Sequence, residues 1–169
     1  MKNTDLAWLA GILDGEGCFY INRQRPHERN DLQTDSFRLF IKVTMGHLPT
    51  IERIQSIVKL GTIQNHAARS KTVNASYSWL VSAREAGRVI TLVKPYLLTK
   101  LSEVTIAETF LAIDTHLAGG AGGNSVKPQL LIDQATVCYW RMRMAKSRWR
   151  FYHAKLSPED RAELKRLRL

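Results

Sequence analysis

The sequence predicts an α+β fold in which helices and antiparallel strands follow the order αββαββα, with more helices after them. Three observations predict it. Small residues recur at Ala7, Gly11 and Gly15 in an apolar run that stops at glycines, as in a helix with one close-packing face. Two pairs of short segments alternate apolar and polar side chains, the period of a half-buried strand. Between and after them, apolar residues return at helical spacing.

The first helix is expected to be capped by Thr4 or Asp5 and to run to about Asp14. Gly15 and Gly17 suit a left-handed C-cap and the turn into a strand. That strand spans about 17–25, with Phe19 and Ile21 inward and Tyr20, Asn22 and Gln24 on the other side. Residues 26–31 are polar and read as a turn or long hairpin loop. The clearest strand is 36–45, where Phe37, Leu39, Ile41 and Val43 alternate with Arg38, Phe40, Lys42 and Thr44. Pro49 suits the first turn of a second helix, with Ile51, Ile54, Ile57 and Val58 at helical spacing and Gly61 ending it. Residues 62–69 and 74–82 read as the second strand pair. In the latter, Tyr77, Trp79 and Val81 alternate with Ser76, Ser78 and Leu80. Helices over about 82–93 and 101–117 follow, joined by a segment opening at Pro95 and leading to Lys100. A Gly-rich stretch lies at 118–124, then a helix over about 128–150. Ser157 as cap and Pro158 at the first position start a last helix. The expected division is a core over 1–118, a connection over 119–127 and a basic helical extension over 128–169.

The chain's 169 residues suffice for one domain with a real core, and 44% hydrophobic residues exclude a disordered chain. A formal net charge of +10 favours a polyanionic partner. Residues 138–169 hold ten Lys/Arg against three Asp/Glu, or +7; the rest holds fifteen against twelve, or +3. No apolar run is long enough to span a bilayer, no secretory signal is visible, and no zinc-ligand spacing occurs. Cys18 and Cys138 are expected as buried thiols.

The run Leu9-Ala10-Gly11-Ile12-Leu13-Asp14-Gly15-Glu16-Gly17 resembles the LAGLIDADG motif of homing endonucleases. Ile12-Leu13 stands for its Leu-Ile pair, Gly15 for its small residue and Glu16 for its second acid, and the strand Cys18–Gln24 follows. The resemblance covers roughly residues 4–118. It implies an αββαββα half-domain whose four-stranded antiparallel sheet forms a saddle over duplex DNA. Members with one copy of the motif are homodimers and those with two are monomers. Leu117–Gly122 has small residues but lacks the acids, so one copy is present. The implied chain is an intron-encoded homodimer joined through its first helix, with Ala7, Ala10, Gly11 and Asp14 at the interface. It is a hydrolase that cuts both strands of a long, pseudo-palindromic DNA site. The host compartment is a bacterial or archaeal cytoplasm or an organelle. The rival within the fold is an intron RNA maturase or a non-cleaving DNA-binding protein, with intron RNA as partner.

The polar side of the sheet carries Tyr20, Asn22, Gln24, Arg38, Lys42, Gln64, His66, Ser76 and Ser78. Arginine and lysine bond guanine O6 and N7, and asparagine and glutamine pair with adenine N6 and N7, in the major groove. The bland reading is a solvated sheet face. Arg25, His27, Arg29, Arg69 and Lys71 are candidate phosphate contacts from the loops. The tail over 141–150 is either a further phosphate-contacting segment or a helix with one solvated basic face.

Phosphodiester hydrolysis needs an activated water and stabilised charge, which divalent ions held by carboxylates supply. By resemblance, Glu16 and the Gly15 carbonyl hold Mg²⁺ (or Mn²⁺), and Asp14 is a structural neighbour rather than a ligand. Lys100, after Pro95-Tyr96-Leu97, matches the family's basic residue near the scissile phosphate; otherwise it is a plain surface lysine. The family's polar, water-ordering position after the second strand holds Met45 here. His47 is the substitute candidate, or an exposed loop histidine.

Overall fold

The structure, a computed structural model, describes residues 2–26, 34–68, 74–117, 127–146 and 155–169. Its elements are α1 (Asn3–Glu16), β1 (Gly17–Gln24), β2 (Ser36–Met45), α2 (Leu48–Val58), β3 (Thr62–His66), β4 (Ser76–Ser82), α3 (Ala83–Val93), a 3₁₀ turn (Lys94–Tyr96), α4 (Leu101–Leu117), α5 (Gln129–Met144) and α6 (Pro158–Arg166). The four strands form one sheet in the order β1-β2-β4-β3. The expected α+β order holds. Among the described residues, no helix is long and apolar enough to cross a membrane.

Several local expectations are corrected. α1 starts at Asn3 rather than after Thr4, because Asp5 at its third position accepts the Lys2 main-chain N–H at 3.4 Å. It also runs two residues further, through Glu16, and Gly17 is extended (φ −71°, ψ 138°) rather than left-handed. Glycine is needed there for close approach, since a Cβ would collide with the Leu13 carbonyl oxygen. The left-handed cap of α2 is Lys59 (φ 54°), whose N–H reaches the Gln55 carbonyl at 2.7 Å. Gly61 follows at φ 78°, where a Cβ would stand 2.8 Å from the Trp79 indole nitrogen. Cys18 is exposed on the outward side of β1 and only Cys138 is a buried thiol.

The chain forms two compact units, Met1–Phe19 with Leu39–Val104, and Tyr20–Arg38 with Thr105–Leu169. In the first unit, β2 and β4 pair antiparallel with Ile41 opposite Val81 and Val43 opposite Trp79. These four residues are at most 1% exposed. α1 packs beside α2 and α3, and Leu9, Leu13, Ile51, Ile54, Val89 and Ile90 are buried. The Trp79 indole N–H donates to the Leu60 carbonyl at 2.9 Å, so burying the ring leaves no unsatisfied donor.

In the second unit, Trp140 of α5 packs with Leu156 and with Leu164 of α6, flanked by Tyr139, Met144 and Leu167. α6 begins as expected, with the Ser157 hydroxyl accepting the Asp160 N–H at 3.1 Å and Pro158 in the first turn. Arg166 forks onto Asp133, at 3.1 Å and 2.9 Å, and joins α6 to α5.

Candidate active site and nucleic-acid interface

α1 delivers two acids to its C-terminal end. On a helix, neighbours two apart point to different sides, so Asp14 and Glu16 have different surroundings. Asp14 is half-buried and accepts four hydrogen bonds: Leu98 N at 2.8 Å, Thr99 N at 3.0 Å, Thr99 Oγ1 at 2.9 Å and Lys100 N at 3.1 Å. Burial alone would raise its pKa, but these donors outweigh that and hold the carboxyl below its ordinary value. Glu16 is exposed, and so is Gly15, whose Cα faces open space.

Lys100 is partly covered, its side chain 25% exposed, with Nζ 3.8 Å from Glu103 Oε1. Glu103 is buried and accepts the Ser102 hydroxyl at 2.8 Å. It is a site residue the sequence reading missed, although an acid three positions after a lysine at a helix start is a readable pair. His47 is exposed, with Nδ1 2.8 Å from the Thr50 hydroxyl oxygen at the start of α2, and Met45 is half-buried.

Among the described residues, no group of three or more His, Cys, Asp or Glu is gathered for a metal ion. Glu16 and Gly15 are exposed, and a carboxylate and a main-chain carbonyl are hard oxygen donors of the kind Mg²⁺ takes, though only part of a ligand set.

On the polar side of the first unit's strands, Gln64 is exposed while Lys42, His66 and Ser76 are half-buried. Ser78 does not join them. It is 0% exposed, its hydroxyl 2.7 Å from Thr44 Oγ1 and 2.9 Å from His66 Nε2. β4 is flanked on both sides, with Thr44 and Gln64 opposite Ser78, so so short a side chain is covered by its neighbours. Direct base contact by Ser78 is therefore withdrawn. Ala7 and Gly11 are exposed on α1, but Ala10 is wholly buried in its own unit and offers no surface to a second chain.

In the second unit, Asn22, Gln24 and Arg38 are exposed and Tyr20 is half-buried. Arg25, expected against phosphate, is held by α6: Nη2 lies 2.7 Å from Asp160 Oδ1 and 3.9 Å from Glu163 Oε2. Arg23 was missed altogether. Its guanidinium meets Asp35 at 2.6 Å and forks onto Glu163 at 2.5 Å and 2.8 Å. It also lies 5.6 Å from the Phe37 ring centre and 5.7 Å from that of Tyr139. Burial would lower its pKa, but the two carboxylates raise it. A signal existed: Arg23 continues the inward series Phe19, Ile21, and an arginine facing a core demands acids. Tyr20, Asn22, Arg23, Tyr139, Arg143 and Lys146 border a cavity of about 330 Å³, basic and aromatic in character. Arg69 and Lys71 lie outside the described residues, as do His27, Arg29 and the tail over 147–150.

The sequence model described as LAGLIDADG endonuclease matches residues 9–102. No curated protein matches the chain. Among solved structures, the chain is similar to the homing endonuclease I-CvuI in complex with the I-CreI target (17% identity, TM-score 0.67, covering 99% of this chain and 96% of that one). It is similar to the archaeal intron-encoded homing endonuclease I-Vdi141I complexed with DNA (14%, TM-score 0.64, 87% of each chain). I-SmaMI bound to uncleaved DNA with calcium ions also matches (16%, TM-score 0.65), with 95% of this chain covering 48% of that one.

Proposed function

The chain belongs to the LAGLIDADG endonuclease family, and from that premise we propose that it is a homodimeric, divalent-metal-dependent DNA endonuclease cutting both strands of a long, pseudo-palindromic site. One observation carries the reading. The α1 end that presents Glu16 to solvent also tethers, through Asp14, the main chain of Lys100. An acid suited to a metal and a cation suited to a phosphate thus belong to one compact unit of the chain. The incomplete ligand set supports a second copy of the chain.

Glu16 and the Gly15 carbonyl would hold the ion, with Glu16 of a second copy across a two-fold axis. A bound divalent ion there supplies an activated water and offsets charge on the scissile phosphate. Lys100 adds a cation for the charge that builds up on the phosphate oxygens. Tyr20, Asn22, Gln24, Arg38, Lys42, Gln64, His66 and Ser76 meet base edges and backbone. The enzyme works wherever its DNA resides, in a bacterial or archaeal cytoplasm or in an organelle.

Cleavage selection from a randomised duplex library with Mg²⁺ tests activity, symmetry and site together. Glu16→Gln should abolish cutting of the recovered duplex and spare binding. A Glu16→Gln chain that still cuts, or one that loses binding alone, would sink the assignment.

A further inference from the structure

Lys100 is gripped at both ends. Its main-chain N–H donates to Asp14 Oδ1 at 3.1 Å, and its ammonium lies 3.8 Å from Glu103 Oε1. The Asp14 grip extends over three consecutive residues, since the Leu98 and Thr99 N–H groups and the Thr99 hydroxyl point at the same carboxylate. Leu97 is packed in the core at 4% exposure, but Leu98 after it is 83% exposed. Beyond Leu97 the chain is held by a carboxylate from a helix 84 to 86 positions away in sequence. At the other end, Glu103 is only 7% exposed and is oriented by the Ser102 hydroxyl. A lysine side chain has four rotatable bonds, so an ammonium set against a phosphate must be restrained for its charge to count.

We propose that Asp14 and Glu103 are positioning residues for Lys100: Asp14 sets where its main chain stands relative to the end of α1, and Glu103 sets where its ammonium points. This rests on the endonuclease reading, because it gives Lys100 a task worth restraining. Neither acid touches the DNA in this scheme, and neither is a metal ligand. The arrangement accounts for both acids of the opening motif. Glu16 faces outward to the reaction, and Asp14 faces inward to the lysine that serves it.

The test uses the full chain and the duplex recovered by cleavage selection with Mg²⁺. Asp14→Asn and Glu103→Gln should each slow single-turnover cleavage, the former by about 10- to 100-fold, with duplex affinity unchanged. In a Lys100→Ala background, neither substitution should slow cleavage further, because each acts through the lysine. Losses that add to that of Lys100→Ala overturn the proposal. Amide hydrogen exchange without metal or DNA gives a second readout: Asp14→Asn should speed exchange at Leu98, Thr99 and Lys100, and unchanged protection there counts against the tether. Glu103→Gln stands alone where Asp14→Asn does not fold. A native chain that cuts no duplex ends the endonuclease reading and this proposal together. Native cutting with an unaffected Asp14→Asn rate ends this proposal only.

Discussion

Arg23 and Glu163 form a two-pronged ion pair across 140 positions of sequence, Nη1 to Oε2 at 2.5 Å and Nη2 to Oε1 at 2.8 Å. The side chains are 8% and 16% exposed, and Glu163 also accepts the Trp140 indole N–H at 2.8 Å. Glu163→Ala removes one partner and leaves a buried guanidinium with Asp35 alone. Loss of one partner of a buried pair costs about 3–5 kcal/mol. Urea unfolding of Glu163→Ala should show a loss in that range, and a variant within 1 kcal/mol of native (roughly the worth of a surface pair) would mean that water reaches the site.

The same pair contributes to the response to acid. Burial of Glu163 would raise its pKa, but the hydrogen bonds from Arg23 and Trp140 lower it below the ordinary 4.5. A group whose folded pKa is depressed contributes stability above its unfolded pKa, and that contribution is lost as pH falls through the folded value. Asp133, lowered by its Arg166 fork, acts with the same sign. Melting temperature should therefore fall on acidification from 4.5 downward, and less steeply in Glu163→Gln. Equal slopes in both chains would rule out this carboxylate as a source of acid sensitivity.

What the sequence made readable was local. Alternation alone set β2 at Ser36–Met45, and helical spacing set α4 at Leu101–Leu117. Ser157 and Pro158 marked the start of α6 through a capping bond that spans three residues. The contacts with Glu163 and Lys100 were not readable, because Arg23 and Asp14 find their partners 140 and 86 positions away. Composition showed a basic tail, but not that its acids Asp160 and Glu163 hold Arg23 of the first strand and Arg25 just after it. Ser78 alternated correctly yet is covered, since burial depends on which strands flank it, and strand order leaves no local trace.

Two neighbouring small residues of α1 separate surface from core. Gly11 is exposed, with open space where a Cβ would stand, whereas Ala10 is 0% exposed. If α1 joins two copies as proposed, Gly11→Leu should leave the fold intact and give a monomer by sedimentation where the native chain gives a dimer. Ala10→Leu overpacks the core and should cost about 1–3 kcal/mol in unfolding. A Gly11→Leu chain that still sediments as a dimer would move the interface off this helix.

The polar strand faces divide in the same way. Arg38 is exposed and Ser78 is closed off between Thr44 and His66. If Arg38 reads a guanine, Arg38→Ala should relax preference at one base position by about 1–3 kcal/mol and weaken binding. Ser78→Ala removes a shared hydroxyl from inside the sheet, so it should cost about 1 kcal/mol of stability and leave base preference unchanged. Binding-site selection on the two variants checks both outcomes. An altered preference in Ser78→Ala alone would reverse the assignment of the two positions, and a native affinity that does not fall with salt would mean that phosphate contacts do not dominate binding.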